Sequence, residues 1–240
     1  GTSFTNDASA TGIGTIDSAG SVSTDAGFSI TSYTGTGSAG TVAHGLGSTL
    51  SLYIVKNRSS GAAWRVFVSL LGADKILRLN TTTASSTDTN MWNNTLPTSS
   101  VFSIGTPSQV NTSGENYIAY CFAEKQGYSK FGSFVGNGND DGTFVYTGFK
   151  PAFVLQKCSS DTGSWHIHDN KRSINGTDKY LYADTNEAEV STTRMDFLSN
   201  GFKLRSNHDV WNGSGRTNVY MAFAESPFVT GSSAIPTTAQ

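Results

Sequence analysis

Leu52-Tyr53-Ile54-Val55-Lys56, seven residues of loop and Trp64 are answered 101 positions later by Phe153-Val154-Leu155-Gln156-Lys157, seven residues of loop and Trp165. The same displacement carries Phe122-Ala123-Glu124 to Phe223-Ala224-Glu225, and Phe102 and Phe202 differ by 100. Upstream of these words lie Tyr33-Thr34-Gly35-Thr36-Gly37 and Phe134-Val135-Gly136-Asn137-Gly138. A near-constant offset is the signature of an internal repeat, and it predicts two tandem copies of one supersecondary unit. Leu50, Leu52 and Ile54 fall on one face of a strand and Tyr53 and Val55 on the other, so this strand is expected to be covered on both sides and central.

Working outward, short apolar runs separated by Gly, Asn, Asp and Ser clusters predict seven strands per copy. They fall at 28–34, 41–46, 50–57, 64–69, 75–80, 101–104 and 117–124, then at 131–135, 143–149, 153–157, 165–168, 180–184, 201–205 and 219–225. Strands with apolar faces must bury them against a second sheet. The expected fold is therefore all-β: two β-sandwiches of jelly-roll or concanavalin-like type in tandem, or two halves of one pseudo-twofold sandwich. Residues 1–26 read as an arm or linker, 27–126 as the first copy, 127–228 as the second, and 229–240 as a mobile polar tail.

Composition supports this class. Ser, Thr and Asn supply 80 of 240 residues and Gly another 26, which disfavours helical bundles and coiled coils. With 16 basic and 18 acidic residues the net charge is −2, so neither nucleic acid nor an anionic membrane is an expected partner. No run of 18 apolar residues and no secretory pattern occurs. The chain starts at Gly1, which suggests a processed or truncated piece of a longer protein. Cys121 and Cys158 are expected as free thiols.

Several motifs have a functional and a plain reading. Gly35-Thr36-Gly37-Ser38-Ala39-Gly40 matches the dinucleotide fingerprint, but no helical pattern follows it to receive a pyrophosphate, and a turn is expected. His166 and His168 share a strand face, with His44 or His208 as a conceivable third zinc ligand; the first copy has Arg65 and Phe67 there, so no metal is expected. Asp140 and Asp141 lack a calcium-loop spacing and read as turn formers. No G-x-S-x-G elbow occurs, and the acids Glu115, Asp178, Glu187, Glu189 and Asp196 form no recognisable pair. Neither catalysis nor a cofactor is expected. The N-x-S/T triplets, Asn175 among them, are expected by chance alone. Glu124 and Glu225, ending the same strand in each copy, are expected to make an ion pair or a capping bond.

Trp64 and Trp165 begin strands and read as core. Trp92 and Trp211 stand in polar surroundings, with Asn90 and Asn93 beside the first and Asn207, His208 and Asp209 beside the second. A partly exposed indole ringed by amides and carboxylates suits a sugar, whose C–H face stacks while its hydroxyls are bonded. These seven residues are the predicted ligand-binding set.

The stretch Asp25-Ala26-Gly27-Phe28-Ser29-Ile30 precedes His44-Gly45-Leu46-Gly47 and Ile54-Val55-Lys56-Asn57-Arg58. Tyr117-Ile118-Ala119-Tyr120-Cys121-Phe122-Ala123-Glu124, Gly127-Tyr128-Ser129-Lys130-Phe131-Gly132-Ser133 and Leu198-Ser199-Asn200-Gly201-Phe202-Lys203-Leu204 follow. This wording, over about residues 25–228, resembles a domain of unknown function that recurs in proteins of tailed bacteriophages, notably aquatic ones. Lys150, in Gly148-Phe149-Lys150-Pro151, stands where the resemblance leads one to expect Arg. The resemblance implies a virion surface protein, commonly of a tail fibre, and supplies no functional residues. The expected function is a non-catalytic, receptor-binding module that attaches to host cell-surface glycans. Its expected partners are those glycans, other virion subunits and further copies of itself, three in a fibre. A capsid decoration protein without a small ligand is the alternative, and a polysaccharide depolymerase a weaker one.

Overall fold

The computed structural model describes residues 1–172 and 179–226. The expected tail at 229–240, the triplet at Asn175 and the acid Asp178 lie outside the described residues. The chain is nearly all β and divides into two compact units. The first comprises Gly1–Leu79 and Ser85–Glu124; the second takes in Asn80–Ala84 and the chain from Lys125 on.

The first unit contains β1 (Thr2–Asn6), the helical turn α1 (Ala8–Thr11), β2 (Ser18–Ser23), β3 (Phe28–Thr34), β4 (Gly40–Ala43), β5 (Leu52–Asn57), β6 (Arg65–Val68), β7 (Lys75–Arg78), β8 (Ser86–Thr87), β9 (Val101–Ile104), α2 (Ser108–Asn111) and β10 (Asn116–Phe122). The second contains β11 (Ser129–Val135), β12 (Phe144–Tyr146), β13 (Pro151–Cys158), β14 (Trp165–Asp169), β15 (Lys179–Tyr182), β16 (Val190–Ser191), β17 (Met195–Leu198), β18 (Gly201–Leu204), α3 (Asp209–Asn212) and β19 (Thr217–Ala224).

Every named strand pairs antiparallel with its neighbours. The first unit has an eight-stranded sheet, β1-β2-β3-β10-β5-β6-β7-β8, and a two-stranded sheet, β4-β9. The second has a six-stranded sheet, β11-β19-β13-β14-β15-β16, and a three-stranded sheet, β12-β18-β17. In the first unit the two sheets share one apolar layer. Val42, Phe102 and Ile104 of the small sheet meet Tyr33, Tyr53, Val55, Phe67 and Tyr117 of the large one, which makes the unit a β-sandwich. Tyr53 stacks on Phe67 at 4.6 Å and lies 4.8 Å from Phe102. Such pairs add about 0.5–1.5 kcal/mol to the hydrophobic term. Four of the six residues of β5, Leu52 to Val55, are buried in succession, as its two apolar faces require.

Residues 1–26 are not a free arm. β1 and β2 extend the large sheet, and Ile16 enters the core at 5% exposure. Thr15 and Ile16 donate their N–H groups to Thr41 O at 2.9 and 3.1 Å, covering the outer edge of β4. The alternation Val22, Ser23, Thr24 is too polar to announce a strand; pairing with β3 supplies what the side chains do not.

The two Gly-rich turns are held alike. Asn111, fully buried on α2, accepts from Thr36 N at 2.8 Å through Oδ1 and donates to Ser38 O and Gly105 O at 2.6 and 2.8 Å. Asn212, fully buried on α3, accepts from Asn137 N at 3.1 Å and donates to Asn139 O at 2.9 Å. A Cβ at Gly35 would stand 2.2 Å from Thr112 O, and one at Gly136 would stand 2.3 Å from Gly213 O. Glycine is there for close backbone approach, and a strand rather than a helix follows each turn.

Lys56 and Lys157 each tie down the loop that follows. Lys56 Nζ donates to Asn57 O, Ala62 O and Ser60 O at 2.7, 3.0 and 3.1 Å. Lys157 Nζ donates to Cys158 O, Thr82 O and Asp161 O at 2.7, 3.3 and 3.4 Å and is fully buried. Burial pulls the Lys157 ammonium down to about 8. Glu225 pairs with Lys150 at 2.7 Å, the strand-end ion pair expected of it. Both thiols are free and buried, and burial pushes that of Cys121 up to about 12.

Candidate functional site

Both loop tryptophans are core residues, contrary to the partial exposure that sugar stacking needs. Asp88 Oδ1 accepts from Asn90 N and Met91 N at 3.0 and 3.1 Å, and Asn93 and Asn94 take φ of 51° and 44°. This tight reversal turns the polar neighbours outward and the indole inward. Trp92 is 0% exposed, lies edge-on to Tyr53 and Phe67 at 5.0 and 5.8 Å, and donates Nε1–H to Lys75 O at 3.0 Å. Trp211, on α3, is 2% exposed and stacks on His166 at 3.7 Å, with Tyr180 and His168 edge-on at 4.8 and 5.0 Å.

The five polar members of the predicted set do not converge. Asn90 and Asn93 are exposed in the first unit, where Asn90 Nδ2 donates to Thr106 Oγ1 at 2.9 Å. Asn207, His208 and Asp209 are exposed in the second, with Asn207 N donating to Asp140 Oδ1 at 2.9 Å. None has an accessible indole beside it.

The aromatic surface lies instead on β12. Phe144 and Tyr146 alternate with buried Val145, so the pleat turns both rings outward, at 44% and 64% exposure. Among the described residues β12 is an edge strand, paired with β18 alone. Its partners on that face are Lys203, opposite Phe144, and Gly201, opposite Tyr146. A Cβ at Gly201 would stand 2.1 Å from Val145 O and 3.1 Å from Phe144 Cε2, so glycine there lets the strands approach and the Phe144 ring lie over the backbone.

Fixed charges stand beside the rings. Lys203 Nζ reaches Asp141 Oδ1 at 2.6 Å, Arg205 Nη1 reaches the same oxygen at 3.4 Å, and Arg205 Nε meets Asp196 Oδ2 at 2.6 Å. The Lys203 bond holds the Asp141 carboxyl below the usual range. Asp141 remains 76% exposed, so its outer lone pairs face solvent. Two aromatic faces next to oriented donors and acceptors, with the charges compensated among themselves, form a surface for a neutral, hydroxyl-rich ring.

The other candidates are taken up in core packing, hydrogen bonds or ion pairs. His166 Nδ1 is buried among Tyr180, Tyr182 and Trp211, and burial holds the ring far below its ordinary pKa. His44 Nδ1 accepts from Leu46 N, which uses one of its two ring nitrogens. Glu115 accepts from Asn57 Nδ2 and Tyr117 OH, Glu189 pairs with Arg172 and Lys179, and Asp196 with Arg205. Among the described residues no three His, Cys, Asp or Glu side chains are grouped to hold a metal ion.

Phe144 and Tyr146 were legible in one respect. Val42 faces Phe102 in β4-β9 and Val145 faces Phe202 in β12-β18, yet the neighbours of Val42 are Thr41 and Ala43. Aromatic residues on both sides of Val145 are more than that pairing requires.

Two units of antiparallel sheets define an all-β chain of sandwich type. The chain belongs to the family described as Domain of unknown function (DUF7483), whose model matches residues 3–227. No curated protein and no solved structure matches it.

Proposed function

We propose that the chain is a non-catalytic glycan-binding module of a bacteriophage surface, attaching the virion to host cells through β12. The observation that carries this reading is the exposure of Phe144 and Tyr146 beside the Lys203–Asp141–Arg205–Asp196 network. The wording of the sequence supports the virion setting. Of the acids weighed for hydrolysis, Glu115, Glu189 and Asp196 are engaged in hydrogen bonds or ion pairs, which supports a non-catalytic reading. Matching strand orders in the two units, β3-β10-β5-β6-β7-β8 and β11-β19-β13-β14-β15-β16, support the reading of two copies.

Stacking on one aromatic surface with a few hydrogen bonds gives millimolar affinity, roughly −4 kcal/mol, which three copies in a fibre raise by avidity. A glycan array probed with the intact chain tests this. Selective binding is expected, and the double change Phe144→Ala with Tyr146→Ala should weaken it by roughly a hundredfold on a multivalent surface while the melting temperature moves little. An empty array, or a double variant that binds as well as the parent, overturns the proposal. The free edge of β12 favours the second reading, a structural subunit without a small ligand, and an empty array is the result that reading expects.

A further inference from the structure

A cleft of about 520 Å³ opens across one end of the eight-stranded sheet in the first unit. Strand register builds it. Asn6 stands opposite Ser18, Ser18 opposite Tyr33, and Thr34 opposite Asn116, while Arg58 N donates to Asn116 O at 2.8 Å. One step beyond the buried Asn6, Ser18 and Tyr33 stand Asp7, Asp17 and Thr34, and with Asn116 and Arg58 they form a row, one residue from each of five adjacent chain segments. All five are exposed and all line the cleft. Paired positions point to the same face, so this row is fixed by the fold rather than by flexible loops.

The row is charged at both ends and neutral between. With strands about 4.8 Å apart, Asp17 and Arg58 are three spacings, or about 14 Å, from each other. That exceeds the screening length of about 8 Å at physiological salt, so the two ends act on a ligand independently. They are also too distant to neutralise one another, and neither carboxylate nor the guanidinium has an ion-pair partner among the described residues. The carboxylates are held in place: Asp7 Oδ1 accepts from Ser9 N and Ala10 N, both at 3.0 Å, and Asp17 Oδ1 from Ala8 N at 2.8 Å. Between the ends, Thr34 Oγ1 donates to Asn116 Oδ1 at 3.3 Å, and the floor is small, with Ala19 and Ser32. Tyr33 and Tyr117 also line the cleft but are buried in the core beneath it, so the groups it presents at its exposed rim are hydroxyl, amide and charge.

We propose that the cleft is a second binding site, for an extended zwitterionic oligosaccharide whose amine-bearing residue lies over Asp7 and Asp17 and whose acidic residue meets Arg58. The amine is held by two fixed carboxylates, the acid by a guanidinium fork, and the intervening hydroxyls by Thr34 and Asn116. The proposal rests on the glycan-binding reading above but uses different residues, in a different unit, and a charged rather than a neutral ligand.

Calorimetric titration of the intact chain with three trisaccharides tests it: the fully deacetylated glucosamine trimer, trigalacturonate and neutral maltotriose. Each charged probe is expected to bind roughly tenfold more tightly than maltotriose, the gain of one charge-assisted contact. Asp17→Asn, which keeps the bond from Ala8 N, should remove that gain for the glucosamine trimer alone, and Arg58→Gln for trigalacturonate alone. Equal affinities for all three probes, or a gain that survives its own variant, overturn the proposal. The Phe144→Ala, Tyr146→Ala variant separates the two sites. Charged probes that still bind it uphold the cleft whatever the array shows, and charged probes lost with it place their binding on β12 and overturn the cleft.

Discussion

Replacing Trp92 by alanine is expected to destabilise the first unit by about 3–5 kcal/mol, the range for deleting a fully buried tryptophan. The indole is 0% exposed and fills the layer between the two sheets against Tyr53 and Phe67. Its removal leaves a cavity lined by rigid rings that cannot collapse, and it leaves Lys75 O without its donor. For a unit of this size that is a fall in melting temperature on the order of 15 °C or more. Trp92→Phe should recover most of the loss, since it restores volume but not the hydrogen bond. Thermal unfolding followed by circular dichroism checks both variants. A Trp92→Ala protein that melts with the parent would mean that the indole is a surface platform after all.

Acidification should cost the first unit about 3 kcal/mol through one side chain. Burial pulls His44 down from its ordinary 6.5 to about 4, and a bond to Thr98 O offsets only part of that. The neutral ring fits because Nδ1 accepts from Leu46 N at 3.2 Å while Nε2 lies 3.3 Å from Thr98 O. A proton on Nδ1 would face an N–H group. The unfolded chain therefore takes up a proton at pH 6.5 and the folded chain only near 4. Stability is full above about pH 6.5, falls as the pH drops, and levels off below 4, by roughly 1.4 kcal/mol per unit of pKa difference. His166, buried against Trp211, acts in the same direction in the second unit. Hydrogen exchange at the core amides of β5 and β10, measured from pH 7 to 4, reads the first unit alone. His44→Gln should flatten that slope whatever its effect on stability at pH 7. An unchanged slope would show that His44 is accessible to protons in the folded state.

The frame was largely visible in the residues. Alternation at Leu50 to Val55 predicts a strand covered on both faces, and β5 is one. Turns were marked by Gly and Asn, and the repeated lysines by their spacing from a tryptophan. What escaped is what register and chain reversal decide. β1 and β2 carry too few apolar residues to be seen, since their strand character comes from pairing with β3. Trp92 and Trp211 sit among polar letters, but two left-handed asparagines and a one-turn helix send neighbours and indole to opposite sides. Phe144-Val145-Tyr146 falls within the expected strand 143–149, but a three-residue strand is too short to display a period, and its edge position shows that two of the three face water. The row from Asp7 to Arg58 spans over 100 positions of sequence and exists only once five segments are in register.

Lys157 gives the chain an internal timer. Its amine is half uncharged near pH 8, hence chemically ready to be acylated, yet it is closed off among three carbonyl oxygens. An activated ester can reach it only in the moments when those carbonyls let go. The rate at which Lys157 is labelled, relative to Lys171 at 83% side-chain exposure, should therefore lag by orders of magnitude and report how often the loop after β13 breathes. Any bound molecule that stiffens the second unit would lengthen that interval, so occupancy becomes readable by mass spectrometry at a single buried residue.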